Sequence, residues 1–497
     1  MNASEDTICA IATATGGAIG IVRVSGPQAI DIAGTVFSAP LADASPYTAH
    51  YGNIVSDGAT IDTAIATVFR APRSYTGEDS VELSCHGSQY ILSQVCRTLI
   101  AHGCRQAEPG EFTRRAFLNG KMDLAQAEAV ADLIASRTHA QHTMAMSQLR
   151  GTFSRHIDSL HERLLHLTTL MELELDFADH EELEFADRTQ LNALTDEILD
   201  TVTRLADSFA TGNAIKEGIR VAIAGPTNAG KSTLLNAILH EDRAIVSSIH
   251  GTTRDTIEDT FVWQGITFRF IDTAGLRTTD DPIEQIGINR TLQTIANAHI
   301  VLFLIDINTA HTDLPLLAPT IQSCTHPHLI IYTKADTHSH PTPQASETKP
   351  YPIQQTSETM SSPAPQTSET KPYPIPQTSE TMSTPAPQAS ETMPLRISAL
   401  TGDGLDTLQQ WVCDTARRTL HLDAPDLVVS NIRHHSALRS VRDALQRVRD
   451  ALRSELPTDL VTQDLRDALH HLATITHRTI TPDAVLANIF KNFCIGK

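Results

Sequence analysis

The chain has 497 residues, with 38 Lys or Arg against 58 Asp or Glu, for a formal net charge of −20. Hydrophobic residues make up 41 %, enough for ordinary buried cores, and at roughly 150 residues per domain the length predicts about three domains. These values exclude a small disulfide scaffold, a collagen-like fibre and a wholly disordered chain. They argue against coating of nucleic acid by bulk positive charge, while a local basic patch leaves room for an RNA substrate.

No stretch reaches the ~18 apolar residues of a membrane helix; the longest aliphatic or aromatic run is 300–305. Glu5 and Asp6 precede the first basic residue, Arg23, which is unlike a signal peptide. Cys9, Cys85, Cys96, Cys104, Cys324, Cys413 and Cys494 are scattered, odd in number and form no Cys-x-x-Cys pair. That pattern predicts reduced thiols, a cytoplasmic location and no zinc site, and the lack of a long apolar run predicts no membrane partner.

Residues 1–122 mix strand-like runs at 20–24, 64–69 and 81–83 with Gly and Pro punctuation, which predicts an α+β domain. From 123 to 218 the signal turns helical, and Ile157, Leu160, Leu164, Leu167 and Met171 form one apolar stripe. Leu438, Val441, Leu445, Val448 and Leu452 repeat the spacing within 422–497. The simplest burial for two such stripes is against each other, giving one α-helical bundle domain split in sequence. The segment between them, 219–421, is then an inserted domain. Its strand-like runs at 220–224, 268–271, 300–305 and 329–332 alternate with helical stretches, the pattern of a parallel α/β sheet.

Within that domain, 338–394 has a different composition. Gln-x-Ser-Glu-Thr begins at Gln344, Gln355, Gln366, Gln377 and Gln388, and Lys-Pro-Tyr-Pro-Ile begins at Lys349 and Lys371. The segment is rich in Pro, Ser and Thr and has no apolar periodicity to build a solenoid core. It reads as a disordered, polyproline-prone low-complexity insert, more a loop expansion than a partner-recruiting module.

Gly225-Pro226-Thr227-Asn228-Ala229-Gly230-Lys231-Ser232 fits GxxxxGK[ST] and lies between a predicted strand and a helix at 233–238. In a P-loop the glycines let backbone N–H groups approach phosphate oxygens, Lys231 neutralises the β/γ-phosphates and Ser232 offers its hydroxyl to Mg²⁺. Asp272-Thr273-Ala274-Gly275 fits DxxG, with Asp272 placed to hold Mg²⁺ through water and Gly275 to sense the γ-phosphate. After the strand at 329–332, Asp336 of Thr333-Lys334-Ala335-Asp336 can accept two hydrogen bonds from guanine, which adenine cannot donate. This favours GTP, although Thr333 stands where most GTPases have Asn. Ser398, Ala399 and Leu400 resemble the last base-contacting loop of such domains.

The residue after DxxG, where Ras-like enzymes place a water-orienting Gln, is Leu276. Help for hydrolysis must therefore come from elsewhere. Gly251-Thr252-Thr253-Arg254-Asp255 reads as a switch loop, with Thr253 as the second Mg²⁺ ligand. Asn228, Ser247, Ile249 and Thr252 can supply oxygens to a K⁺ ion that offsets transition-state charge. The plainer alternative for Asn228 is a side chain that stabilises the loop. The expected nucleotide contacts also include Thr233, Ser248 and His250.

These motifs, together with their flanks, resemble the bacterial and organellar tRNA-uridine modification GTPases, MnmE or TrmE. The resemblance is carried by Asp6-Thr7-Ile8 through Gly26, by Ser74-Tyr75-Thr76-Gly77-Glu78-Asp79, by the run from Pro109 to Lys121 and by the run from Asp123 to Ala129. The terminal Phe493-Cys494-Ile495-Gly496-Lys497 completes it. It implies an N-terminal folate-binding, dimer-forming domain, a split helical domain and an inserted G-domain whose K⁺-dependent pairing drives GTP hydrolysis. It implies a homodimer, a heterotetramer with the FAD-binding partner MnmG, and addition of a carboxymethylaminomethyl or aminomethyl group to C5 of the wobble uridine of certain tRNAs. A reduced folate (5-formyl- or methylene-tetrahydrofolate) would supply the one-carbon unit. The resemblance places folate contacts on Arg23, Glu82, Lys121 and Lys497, and the catalytic acid that positions water on Glu284.

Cys494 invites a nucleophile reading, but no basic partner is identifiable near it in sequence, so it reads as a structural or folate-lining thiol. The acidic run 172–187 has no calcium-loop spacing and reads as a solvated face or hinge. A ribosome-assembly GTPase would share the P-loop but needs an RNA-binding GxxG loop in a KH-type context, which is absent here. A scaffold switched by GTP without using hydrolysis is the other alternative.

Overall fold

The computed structural model describes residues 6–176, 188–241, 258–273, 282–337, 394–420, 427–454, 458–476 and 496. The repeats at 344–392, the segment 247–253, Ala274, Gly275, Leu276, most of the acidic run, Cys494 and Lys497 lie outside these residues. The chain divides into two units. One comprises Met1–Arg220, Asp259–Arg269 and Cys413–Lys497; the other comprises Val221–Glu258 and Phe270–Val412. Cys9, Cys85, Cys96, Cys104, Cys324 and Cys413 are free thiols.

The N-terminal part is built from β1 Ile8–Ile11, β2 Ile19–Ser25, α1 Ala29–Val36, β3 Thr48–Ser56, β4 Ala59–Phe69, β5 Ser80–His86, α2 Gln89–Ala101, β6 Arg105–Gln106 and α3 Glu111–Leu118. Its sheet has the order β3-β4-β5-β2-β1-β6, antiparallel apart from the β1–β6 pair. Strand alternation divides its two faces. Val22, Val24, Val81 and Leu83 pack with Ile32, Leu92 and Leu99 of α1 and α2 in one core. Arg23 and Glu82, paired across β2 and β5, point to the other face.

Near that face Phe112 is fully buried with Ile8, Ala10 and Ala107, and Tyr75 packs against them. The start of α3 is pinned by charge. Glu111, 1 % exposed, accepts from Arg105 and Arg115, and Arg115 also bonds Asp6 and Glu78. Breaking such a buried network by removing one partner is strongly destabilising.

The helices that follow are α4 Leu124–Ala135, α5 His139–Leu149, α6 Thr152–Asp176, α7 Arg188–Asp207 and α8 Phe209–Glu217. Two of them begin with reciprocal capping boxes, Asp123 with Gln126 and Thr138 with Gln141, which satisfy helix-start N–H groups.

The nucleotide-type sheet then runs through β7 Ile219–Ala224, α9 Lys231–Glu241, β8 Glu258–Trp263, β9 Ile266–Asp272, α10 Pro282–Ala296, β10 Ile300–Asp306, α11 Ala310–Ser323, β11 His328–Thr333, β12 Leu395–Arg396 and α12 Leu405–Leu420. Its order is β12-β11-β10-β7-β9-β8. β7, β10, β11 and β12 pair in parallel, and their apolar runs are buried on both faces. A wholly parallel sheet is not what forms. Gln264 and Gly265, both at positive φ, make a two-residue hairpin turn between β8 and β9, so that edge is antiparallel. β7 lies between β10 and β9, so the loop after it opens where strand order reverses, the place where open α/β sheets bind ligands.

α13 Ile432–Arg453 and α14 Thr458–Thr476 complete the helical part. Both expected stripes are buried in one cluster, with Leu164 and Leu438 at 0 % exposure. Their arrangement differs from simple face-to-face pairing: α6 packs chiefly on α14, while α13 packs on α14 and α7. The stripes therefore share the centre of a four-helix core. Two halves far apart in sequence are also joined by charge. Glu128 of α4 accepts from Arg433 at 3.1 Å and lies 3.0 Å from His434, while Arg433 donates to the Thr474 and Ile475 carbonyls.

Candidate functional site

The phosphate loop begins where β7 ends. A Cβ on Gly225 would meet the Leu304 carbonyl oxygen of β10, so only glycine lets the loop pass the neighbouring strand. Asn228 and Gly230 sit at φ 66° and 88°, a left-handed conformation that glycine and asparagine tolerate best. This gives the loop-stabilising reading of Asn228 a physical basis, and its exposed position leaves it available to a cation as well. The loop feeds α9, whose first-turn N–H groups favour anions.

Lys231 is 9 % exposed and donates to the Gly225 and Pro226 carbonyls at 3.1 and 2.7 Å. Burial lowers its pKa, and the Asp272 charge opposes that shift. Ser232 Oγ donates to Asp272 Oδ2 at 3.1 Å. Asp272 Oδ1 is buried with no hydrogen-bond partner among the described residues. A hydroxyl and a carboxylate with an unsatisfied oxygen suit a hard cation such as Mg²⁺. No group of three or more His, Cys, Asp or Glu that could hold a metal occurs among the described residues. Thr273 is committed to structure, donating to the Ile223 carbonyl at 2.8 Å. Thr233 is exposed on the first turn of α9.

The segments expected to read the base, 333–336 and 398–400, lie beside the phosphate loop. Thr333, 3 % exposed, donates to the Ala229 carbonyl at 2.8 Å and lies 3.3 Å from the Ile305 carbonyl. The residue that departs from the usual Asn thus ties its strand to the phosphate loop. Lys334, at φ 59°, pairs with Asp306 at 2.6 Å. Burial pushes the Asp306 carboxyl up, but Lys334 and Asn308 outweigh it and the net shift is down. Asp306 was not legible as a site residue from its spacing. Parallel pairing of β11 with β12 carries Ser398 to Asp336, where its hydroxyl donates to Oδ1 at 2.6 Å. Ala399 is half-buried and Leu400 is 82 % exposed.

Of the remaining expected nucleotide residues, Ser247, Ser248, Ile249, His250, Gly251, Thr252, Thr253, Ala274 and Gly275 lie outside the described residues. Glu284 is the third residue of α10, and only its backbone is described.

In the N-terminal sheet Arg23 Nε donates to Glu82 Oε1 at 2.9 Å and Nη1 to the Gly496 carbonyl at 3.2 Å. Its guanidinium lies over Tyr75 and Phe112, 5.4 and 5.6 Å from the ring centroids, a cation–π geometry. Lys121 is exposed and donates to the Pro72 carbonyl at 2.9 Å. The expected folate residues therefore form one paired cluster, Arg23 and Glu82, while Lys121 is held on a neighbouring loop carbonyl. The two aromatic partners of Arg23 carried no sequence signal as site residues.

A family model described as the MnmE helical domain matches residues 124–494, and one described as the N-terminus of the GTP-binding protein TrmE matches residues 7–121. The chain is 48 % identical over 501 residues to the tRNA modification GTPase MnmE of Bacteroides fragilis strain YCH46, covering 99 % of this chain and 100 % of that protein. It is 46 % identical over 503 residues to the protein of the same name from Bacteroides thetaiotaomicron, with the same coverage. The Parabacteroides distasonis protein of that name is 46 % identical over 499 residues, again with 99 % and 100 % coverage. With identity sustained over 99 % of its length and both family models matched, the chain belongs to the MnmE (TrmE) family of tRNA modification GTPases.

Proposed function

We propose that this chain is a K⁺-activated GTPase that, with the FAD-binding partner MnmG, adds a carboxymethylaminomethyl or aminomethyl group to C5 of the wobble uridine of certain tRNAs. The observation that carries the GTP reading is the junction of three loops. Thr333 is bonded to Ala229, and Ser398 is bonded to Asp336. Phosphate-binding and base-binding segments are thereby fastened together. Ser398 holds one carboxylate oxygen of Asp336, and the carboxylate would accept from a base that offers two N–H donors.

Lys231, Ser232 and the segment 247–253 would face the phosphates. Ser232 and Thr253 would hold Mg²⁺ with Asp272 behind them, and Asn228, Ser247, Ile249 and Thr252 would hold K⁺. Both ions supply positive charge against the phosphates when bound. Glu284, near the start of α10, would orient the attacking water.

The Arg23–Glu82 pair with Tyr75 and Phe112 has the donor set a reduced folate needs: cationic N–H groups for its carboxylates, a carboxylate for pterin donors and aromatic surface. Lys121 and Lys497 would add charge. The homodimer reading is supported by the sheet face opposite α1 and α2, where Tyr51 and Ile65 pair across strands at 78 % and 45 % exposure. Contiguous apolar exposure marks interaction surfaces, and these two residues would contribute to one. The reading includes a division into 1–122, 123–218, 219–421 and 422–497 and a cytoplasmic location. Among the described residues no helix is long and apolar enough to cross a membrane.

The test is nucleoside analysis of wobble positions in tRNA from cells lacking the gene, with and without the restored wild-type chain. Loss and return of the C5 modification is expected. Unchanged nucleosides in the deleted cells would sink the proposal.

A further inference from the structure

Gly496 is buried and sits at φ 98°. A Cβ there would meet the Ile11 carbonyl oxygen and lie 2.8 Å from Ala12 Cα. Two independent constraints thus require glycine: a left-handed backbone and direct contact with backbone leaving β1. Its carbonyl accepts from Arg23 Nη1 at 3.2 Å across 473 positions of sequence. The rest of the Arg23 guanidinium is spoken for, with Nε and Nη2 on Glu82 and its face over Tyr75 and Phe112. Arg23 therefore stands between a carboxylate, two rings and the 496–497 peptide group.

We infer that Gly496 is a positioning residue: it seats the 496–497 peptide on Arg23 and so orders the Arg23–Glu82 cluster for its ligand. A side chain at 496 forces the peptide away from β1, removes an acceptor from the Arg23 fork and frees that guanidinium to change its hold on Glu82. The inference rests on the proposed folate role of this cluster and adds to it a requirement set by backbone shape.

The test uses the full chain as wild type, Gly496→Ala, Gly496→Asn and Arg23→Lys, with thermal unfolding to check that each folds. Hydrogen–deuterium exchange of the peptide containing 496–497 reads the seating through burial: Gly496 is buried, and losing its seat on Arg23 exposes its N–H to water. Titration with 5-formyltetrahydrofolate reads the ligand. At least about tenfold faster exchange and at least about tenfold weaker folate binding are expected for Gly496→Ala. Asparagine tolerates positive φ but still carries a Cβ, so Gly496→Asn is expected to fail as well. Arg23→Lys keeps the charge and loses the fork, and is expected to speed exchange like Gly496→Ala. Wild-type exchange in Gly496→Ala or in Arg23→Lys would overturn the seating. Fast exchange with unchanged folate affinity would overturn the positioning role. If the wild-type chain binds no folate, the ligand reading fails, and the exchange data still decide whether Gly496 is seated on Arg23.

Discussion

Replacing Thr333 by Val isolates the bond that ties the end of β11 to the loop before α9. The branched shape is kept and one hydroxyl is lost. That hydroxyl donates to the Ala229 carbonyl at 2.8 Å, with the Ile305 carbonyl a weaker second acceptor at 3.3 Å. Thr333 is 3 % exposed and Ala229 is 1 % exposed, so water has little access to replace the donor. Leaving a buried acceptor unpaired costs about 1–3 kcal/mol. The cost falls on the loop conformation that receives the phosphates. At 1.4 kcal/mol per factor of ten, this corresponds to about 5- to 150-fold weaker nucleotide binding. Stopped-flow release of a fluorescent GDP analogue from wild type, Thr333→Val and Thr333→Ser measures the effect. Release should accelerate by that order in Thr333→Val and return most of the way in Thr333→Ser, which restores the hydroxyl. Wild-type release from a folded Thr333→Val would refute the claim that this bond holds the loop.

Asp336→Asn should shift preference from guanine toward xanthine nucleotides, because the amide offers a donor where the base offered one; unchanged selectivity in competition binding would remove Asp336 from base reading. Glu284→Ala should slow single-turnover GTP hydrolysis at least about tenfold while leaving GTP affinity within about twofold, in line with loss of a positioned catalytic group; a collapse of affinity instead would contradict the water-orienting role. Glu128→Gln should destabilise the helical core. Burial pushes the Glu128 carboxyl up, but His434 and Arg433 more than compensate and bring it down to about 2 from 4.5. Burial lowers the His434 pKa below its usual 6.5, so at pH 7 the stabilisation of the Glu128 carboxylate comes chiefly from Arg433. Because the folded-state pKa is the lower one, the contribution is present above pH 4.5 and is lost as pH falls toward 2. The gap between wild type and variant in urea midpoint should therefore narrow below pH 4.5, and a gap independent of pH would point to packing alone.

What was legible in the sequence was local. The GxxxxGK[ST] loop, the runs at 220–224 and 300–305 and the stripes from Ile157 and Leu438 are short-range patterns, and each is found in the corresponding element. The unread parts depend on distant partners. Strand β3, Thr48–Ser56, is mixed in polarity because only part of it is covered, and Tyr51 is a large apolar side chain at one of its exposed positions. α11 carries Pro315 and Pro319 inside the helix, residues that argue against helix on propensity alone. Arg433 meets Glu128 across 305 positions, and nothing in a window around either residue signals the other. The same holds for Thr333, whose partner Ala229 lies 104 residues away. There, a departure from the usual motif proved to be a bond to the phosphate loop. Helix packing was visible as stripes but not as neighbours, since any two apolar faces satisfy the same periodicity.

The central claim is that the cluster of Asn228, Lys231, Ser232 and Asp272 hydrolyses GTP with a monovalent cation as part of its machinery. GTP turnover by the purified full chain in Mg²⁺, at equal ionic strength in KCl and in NaCl, tests it most directly. At least about tenfold faster turnover in KCl is expected, and equal rates in the two salts, or no turnover in either, would contradict it.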